Sequence, residues 1–124
     1  MSVLVRVGLF ELAFGALLGW AMVGNLAAPQ LMERLGIVSP RRILQAHLDY
    51  VMMGLILIAV GLALPGLATW IAVLVIVGTL LNPTLFLPLA FNEKLAKTLA
   101  FQGVSFVSFL AVSVGLVAAA CSAL

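Results

Sequence analysis

The residues best suited to chemistry lie in one short stretch near the middle of the chain. His47, the only histidine, is followed by Asp49 and then by Tyr50. An imidazole, a carboxylate and a phenol can each exchange protons, and a neutral imidazole can also ligate a metal. The residues around them are mostly apolar. Because ionisable groups in a membrane segment are costly, we expect this stretch to contain the functional site.

The composition indicates an integral membrane protein. The chain has 124 residues, of which 65% are hydrophobic and 8% are charged, whereas soluble domains carry about 25% charged residues. We expect one domain, residues 1–124. The net charge of +2 is too small to suggest a nucleic-acid partner. Cys121 has no cysteine partner in the chain, so we interpret it as a small apolar helix residue.

Four apolar segments are long enough to cross a lipid bilayer. Pro40 is typical of a first helical position, and Pro65 ends the segment that follows it. Pro83 and Pro88 predict a bend in the third segment. We therefore predict an all-α fold, a four-helix transmembrane bundle with both termini on the same side. The expected helices are 3–28, 40–64, 67–91 and 98–120.

Basic residues give the expected orientation. They concentrate in two predicted loops, 29–42 and 92–97, as Arg34, Arg41, Arg42, Lys94 and Lys97. Loops rich in lysine and arginine remain in the cytoplasm. We therefore expect a multi-pass protein of the inner (cytoplasmic) membrane, with these two loops in the cytoplasm and both termini outside.

One leaflet is predicted to contain a polar layer. At about 1.5 Å per residue, His47 lies roughly 6 to 10 Å from the cytoplasmic helix end. Four other polar residues fall in the same leaflet: Asn25, Asn82, Gln102 and Ser105. Unpaired polar groups in hydrocarbon are expensive, so we expect these residues to meet inside the bundle or an assembly. Glu11 is expected in the other leaflet, paired with Arg6.

Structural roles remain open for each of these residues. His47 can serve as an interfacial or hydrogen-bonded residue rather than a ligand, acid or base. Asp49 can pair with Arg41 or Arg42 of the same chain or of another chain. Asn82, which precedes a proline, can provide a hydrogen bond at the helix bend.

The stretch 46–54 resembles the small four-helix membrane isomerases that include styrene oxide isomerase and hydroxylaminobenzene mutase. The mutases are similar at His47-Leu48-Asp49 and at Gly54. The isomerase is similar in the spacing from His47 to Pro65, and again at Asn82.

This resemblance implies that His47 is the axial ligand of a haem b. It also implies a homotrimer with haem at the subunit interface. Ferric haem would act as a Lewis acid in the rearrangement of a small apolar aromatic epoxide or arylhydroxylamine. The candidate catalytic residues are Asp49, Tyr50 and Asn82. The candidate cofactor-binding residues are His47, which would ligate the iron, Met53 and Phe86.

Three positions depart from the family pattern. Met53 replaces an asparagine, Gly78 an acidic residue and Phe86 a tyrosine. We expect a haem-dependent isomerase or mutase, but these departures leave open a haem-binding membrane protein without catalysis. A third interpretation is a small multidrug-type transporter in which Glu11 is the proton-coupled binding carboxylate.

Overall fold

The computed structural model describes residues 1–124, is 85% helical and contains no strands. Its α-helices are α1 (Val3–Ala27), α2 (Pro29–Arg34), α3 (Pro40–Ala63), α4 (Thr69–Thr84), α5 (Phe86–Phe91) and α6 (Leu99–Ser122), with a 3-10 helix at Glu93–Lys97. Four segments are long and apolar enough to cross a membrane: α1, α3, α4 with α5, and α6. The predicted all-α fold with four such segments is confirmed, and it fits a multi-pass membrane protein.

Polar side chains cap the N-termini of two of the long helices. The Ser2 hydroxyl accepts a hydrogen bond from the Val5 amide at 3.3 Å at the start of α1. The Thr98 hydroxyl accepts one from the Phe101 amide at 3.3 Å at the start of α6. Each hydroxyl therefore satisfies an amide that has no partner within its helix.

The two predicted loops are more ordered than expected. The first contains the short helix α2, which starts at Pro29 because proline suits a first helical position. Gly36, with a φ of 88°, then reverses the chain in a conformation that glycine adopts without strain. The amides of Val38 and Ser39 both donate to the carbonyl oxygen of Ala90, at 2.8 and 3.0 Å. The connection is thereby held against the end of α5.

The predicted bend in the third segment is present as a break at Leu85, between α4 and α5. Pro83 and Pro88 have no N–H, so the carbonyls four residues earlier, at Thr79 and Thr84, lose their helical partners. The bend separates α5 from the straight path of α4 and leaves space beside α6.

Close backbone contact between α1 and α3 depends on glycine. A Cβ on Gly54 would lie 2.8 Å from the carbonyl oxygen of Gly8, and a Cβ on Gly8 would lie 2.8 Å from that of Gly54. Gly15 meets Tyr50 and Val51 in the same way. Small residues at such positions let membrane helices approach closely, so α1 and α3 form one tight pair.

A second pair, α4 and α6, meets at Gly78 and Gly115. The apolar core joins the two pairs near the start of α1 and the end of α6. Its buried residues are Leu4, Leu57, Ile71, Val75 and Ala119. The opposite half of the bundle, next to α2 and the 3-10 helix, contains the residues of the predicted polar layer.

Candidate functional site

His47 is held by α1. Its Nδ1 lies 2.5 Å from the carbonyl oxygen of Gly15. A carbonyl oxygen can only accept a hydrogen bond, so Nδ1 carries the proton and donates it. The imidazole also lies over Gly19, where a Cβ would be 3.2 Å from Cε1 of the ring. Two glycines of α1 therefore fix the tautomer and orientation of His47.

The other ring nitrogen, Nε2, is free to bind a ligand. It makes no hydrogen bond within the chain, and it is not among the buried polar atoms that lack a partner. The His47 side chain is half-buried. Metal-ligating histidines usually donate their second N–H to a carbonyl or carboxylate, as His47 does to Gly15. His47 could therefore ligate a metal ion through Nε2.

A separate cavity of about 630 Å³ lies on the other side of α3. We call it the aromatic cavity; its lining includes Asp49 and Met53 from α3, Asn82 from α4, Phe86 from α5, and Phe101, Ser105, Phe106 and Phe109 from α6. Four of the six predicted site residues, Asp49, Met53, Asn82 and Phe86, thus meet in one place. A cavity with mostly apolar walls and few polar groups is typical of a small-molecule site.

Asp49 is half-buried in this cavity and has no partner. The predicted alternative, an ion pair with Arg41 or Arg42, is wrong within this chain. Arg42 instead contacts Glu93, at 3.2 Å, and donates to Gln45 at 3.0 Å. Asp49 therefore leaves an unpaired carboxyl group facing aromatic walls.

Asn82 lines the aromatic cavity and uses one end of its amide to contact α6. Its Oδ1 accepts a 2.6 Å hydrogen bond from Ser108, which is fully buried. Its Nδ2 has no partner and remains available as a donor. Ser105, which also lines the cavity, donates to the Phe101 carbonyl at 2.9 Å within its own helix. The free polar groups of the cavity are therefore the Asp49 carboxyl group and the Asn82 amide nitrogen.

Tyr50 belongs to a different surface of α3. Its hydroxyl lies 2.5 Å from that of Thr84, and its ring makes an edge contact with Phe14 at a centroid distance of 4.7 Å. Thr84 donates its one hydroxyl proton to the carbonyl of Leu80 at 2.6 Å. Tyr50 is therefore the donor in the pair, and its proton is already engaged.

The geometry of α3 explains the separation of His47 from Asp49. Residues two apart on an α-helix point about 200° away from each other. His47 faces α1, whereas Asp49 and Met53 face the aromatic cavity. Within one chain, the candidate iron ligand and the candidate substrate groups thus lie on opposite sides of α3.

The predicted polar layer does not form a cluster within the chain. Gln102 is exposed and donates to the carbonyl of Ala96 at 3.3 Å. Asn25 is half-buried and makes no side-chain hydrogen bond. Only Asn82 and Ser105 of that set line the same cavity. The layer prediction treated equal depth as proximity, although these side chains point in different directions around the bundle.

Glu11 does not pair with Arg6, as the sequence analysis expected. It is 3% exposed, and neither carboxylate oxygen has a hydrogen-bond partner. The expected partner, Arg6, is exposed and makes no ion pair. The signal was present in the sequence, because Glu11 lies three residues after Gly8 and four before Gly15. This spacing places it on the same glycine-rich face that packs against α3.

No group of three or more His, Cys, Asp or Glu side chains converges to hold a metal ion. Within one chain, a haem iron would therefore have His47 as its candidate ligand.

In comparisons with known proteins, no family model, curated protein or solved structure matches this chain.

Proposed function

We propose that this protein is an integral membrane isomerase that binds haem b through Nε2 of His47. The observation that carries the proposal is the hydrogen bond from Nδ1 of His47 to the Gly15 carbonyl, which leaves Nε2 without a partner in the chain and, in the neutral imidazole, with its lone pair available. Its substrate would be a small apolar aromatic epoxide or arylhydroxylamine. Such a molecule partitions into lipid and reaches the aromatic cavity from the membrane.

Assembly would bring the two halves of the site together. In one chain, Nε2 of His47 and the aromatic cavity lie on opposite sides of α3, so one copy alone cannot place a haem-bound substrate beside Asp49. A head-to-tail interface joins different surfaces of neighbouring copies and can close into a ring. We propose a homotrimer in which His47 of one copy faces the aromatic cavity of the next, with haem at the interface.

The residues of the aromatic cavity would orient the substrate and manage its proton. Bound ferric haem would supply a Lewis-acidic iron with an open coordination position. Asn82 would donate a hydrogen bond from Nδ2 to a substrate oxygen. Asp49 would hold or release a proton at its carboxyl group. Phe86, Phe101 and neighbouring aromatic rings would exclude water and pack against the aromatic part of the substrate.

The proposed setting is the inner membrane, with the loops 29–42 and 92–97 in the cytoplasm and both termini outside. The clustering of Arg34, Arg41, Arg42, Lys94 and Lys97 beside these connections supports this orientation.

One observation favours a second candidate, a haem-binding protein without isomerase activity. The isomerases that the sequence resembles have an acidic residue where this chain has Gly78. Here a Cβ on Gly78 would lie 2.7 Å from the Val112 amide nitrogen and 3.0 Å from the Ser108 carbonyl oxygen. The α4–α6 contact thus excludes any larger side chain at this position, and an acidic group there has no space.

The test is haem binding by the detergent-purified protein, measured by absorption spectroscopy during titration with haemin. Wild type should show a Soret band that saturates near one haem per chain, and His47→Ala should lose it. Asp49→Asn is the matched control on the same helix and should retain the band. If neither wild type nor Asp49→Asn binds haem, the proposal is wrong.

Turnover separates the two candidates. Haem-loaded wild type should convert styrene oxide or an arylhydroxylamine to an isomer of the same mass, and Asp49→Asn should do so more slowly. Haem binding with no conversion of any aryl epoxide or arylhydroxylamine would favour the non-catalytic candidate.

A further inference from the structure

Two helices each contribute one free hydrogen-bonding side chain to the aromatic cavity, Asp49 from α3 and Asn82 from α4. Asp49 makes no ion pair, and its oxygens are not among the buried atoms that lack a partner. Asn82 accepts a hydrogen bond from Ser108 at Oδ1, while its Nδ2 is neither bonded nor among those buried atoms. A ligand in this cavity therefore meets one group that accepts hydrogen bonds and one that donates them.

The Asp49 carboxyl group requires a donor in the ligand. An ionised carboxylate has two oxygens that only accept, and a protonated carboxyl group keeps one such oxygen. The other hydroxyl that lines the cavity, on Ser105, donates to the Phe101 carbonyl at 2.9 Å within α6. An ether or epoxide oxygen has no proton to donate. Such a ligand would leave an acceptor of Asp49 without a partner, which costs free energy in an enclosed site.

The Asn82 amide nitrogen requires an acceptor in the ligand. An amide N–H group can only donate, and the one acceptor within reach of its own side chain, Oδ1, is bonded to Ser108. An ammonium ligand donates to Asp49 but cannot accept from Asn82. A site that hydrogen-bonds its ligand discriminates against a molecule that leaves one of its polar groups unpaired. Asn82 therefore disfavours an organic cation, as Asp49 disfavours an ether.

The walls of the aromatic cavity favour an aromatic ring. Four phenylalanine rings line it, and aromatic pairs gain stability beyond the apolar area that they bury. Phe106 and Phe109 are each 68% exposed, so a ligand can arrive from the helix surface that faces lipid. The volume of about 630 Å³ is sufficient for one ring with a short polar substituent.

We infer that the aromatic cavity selects neutral aromatic molecules that carry a hydroxyl group. The hydroxyl donates a hydrogen bond to Asp49 and accepts one from Nδ2 of Asn82, so these two residues determine the specificity of the cavity. The inference rests on the proposed function for the role of this cavity as the substrate site, and it counts against an epoxide as the preferred ligand. It requires neither haem nor turnover.

The test is the binding of two isomers, benzyl alcohol and anisole, to the full-length protein in phosphatidylcholine nanodiscs. They contain the same atoms, but only benzyl alcohol has a hydroxyl group. Titration calorimetry gives each affinity, corrected for partition of the ligand into empty nanodiscs. Wild type should bind benzyl alcohol about three- to tenfold more tightly than anisole, which cannot donate a hydrogen bond. Benzyltrimethylammonium, an organic cation of similar shape, should bind more weakly than benzyl alcohol.

Two variants of nearly equal size assign this preference to Asp49. Asp49→Leu has no acceptor, so it should bind benzyl alcohol no more tightly than anisole. Asp49→Asn is the matched control, because it keeps one carbonyl oxygen and should retain part of the preference. Replacing an unpaired carboxyl group with an apolar side chain should not destabilise the fold. The three ligands still test wild type if Asp49→Leu fails to fold.

The inference is wrong if wild type binds anisole or benzyltrimethylammonium as tightly as benzyl alcohol, or if folded Asp49→Leu keeps the full preference. These outcomes are distinct from those of the haemin titration. A protein that binds haem but does not distinguish the two isomers would contradict this inference alone. One that prefers benzyl alcohol but binds no haem would contradict the proposed function alone.

Discussion

Ser108 on α6 donates a 2.6 Å hydrogen bond to Oδ1 of Asn82 on α4. The bond spans the two helices immediately before the break at Leu85, and it is made by a fully buried hydroxyl. Because Oδ1 is occupied, the amide nitrogen of Asn82 is the group left for the aromatic cavity. A packing residue of α6 therefore determines which end of the Asn82 amide would remain available to a substrate in the proposed site.

Replacing Ser108 with alanine should destabilise the α4–α6 contact and release Asn82. We expect a loss of about 0.6 to 1.7 kcal/mol, the range measured for hydrogen bonds between membrane helices. The measurement is thermal or detergent-induced unfolding of the purified protein. Ser113→Ala is the control, since Ser113 donates at 2.8 Å to Phe109 in its own helix. Equal stability losses in the two variants would contradict this role for Ser108.

Gly54→Ala should weaken the packing of α1 against α3 and lower the stability of the protein. The added Cβ would lie 2.8 Å from the carbonyl oxygen of Gly8 and 2.8 Å from the amide nitrogen of Leu12. Backbone atoms cannot move aside as a flexible side chain can, so we expect a loss of about 1 to 3 kcal/mol in unfolding free energy. Gly103→Ala has nothing within 4 Å of its Cβ. That control should be neutral or slightly stabilising, because alanine favours helix.

Gly19→Ala tests the support of His47 by α1. Its Cβ would lie 3.2 Å from Cε1 of the imidazole, so the ring must shift by a few tenths of an ångström against its hydrogen bond to Gly15. Complete loss of such a supporting hydrogen bond typically weakens metal binding about 10- to 100-fold, so a displaced ring should weaken haem binding by a smaller factor. Haemin titration should show this decrease while the helical content by circular dichroism is unchanged. Haem affinity equal to that of Gly103→Ala would show that the position of the ring does not matter.

The fold was predictable because its signals are local. Apolar length defines the four spans, and Pro83 and Pro88 mark the break in the third. The site was predictable only in part, because depth along a helix is encoded locally whereas direction around it depends on the neighbouring helices. Depth alone grouped His47 with Asn82, although His47 turns toward Gly15.

The surroundings of Glu11 also could not be predicted from the local sequence. The expected pairing with Arg6 was already poorly phased, because the two residues are five apart whereas neighbours on a helix face are three or four apart. Its actual surroundings depend on the close approach of α3 at Gly8 and Gly15. No local pattern reports that Tyr50 and Thr84 bond to each other and leave the carboxyl group without a partner.

Glu93 should link stability to pH at the surface where the two connections meet. Its Oε1 accepts hydrogen bonds from the Ser39 hydroxyl at 2.8 Å and from Nε of Arg42 at 3.2 Å. Both hydrogen bonds lower the pKa of Glu93 below its ordinary value of 4.5, and the bond from Ser39 has the larger effect. The folded state therefore holds this proton less tightly than the unfolded state does.

This difference fixes the sign of the pH dependence. The contribution of Glu93 is fully present above the unfolded pKa of 4.5 and is lost as the pH falls through the lower folded pKa. At about pH 7, Glu93→Gln should unfold at a slightly lower temperature than wild type, and the difference should shrink as the pH falls below 4.5 and through the lower folded pKa. The effect should also shrink in high salt, because the pair is exposed.

Glu33→Gln is the matched control for this measurement. Glu33 is an exposed acid whose side chain makes no hydrogen bond or ion pair, so its loss should not produce a gap from wild type that closes as Glu93 becomes protonated. The amides of Val38 and Ser39 still donate to Ala90 in Glu93→Gln, so the connection remains in place and only the charge is removed. A gap that does not shrink on acidification would mean that Glu93 contributes by packing rather than by its charge.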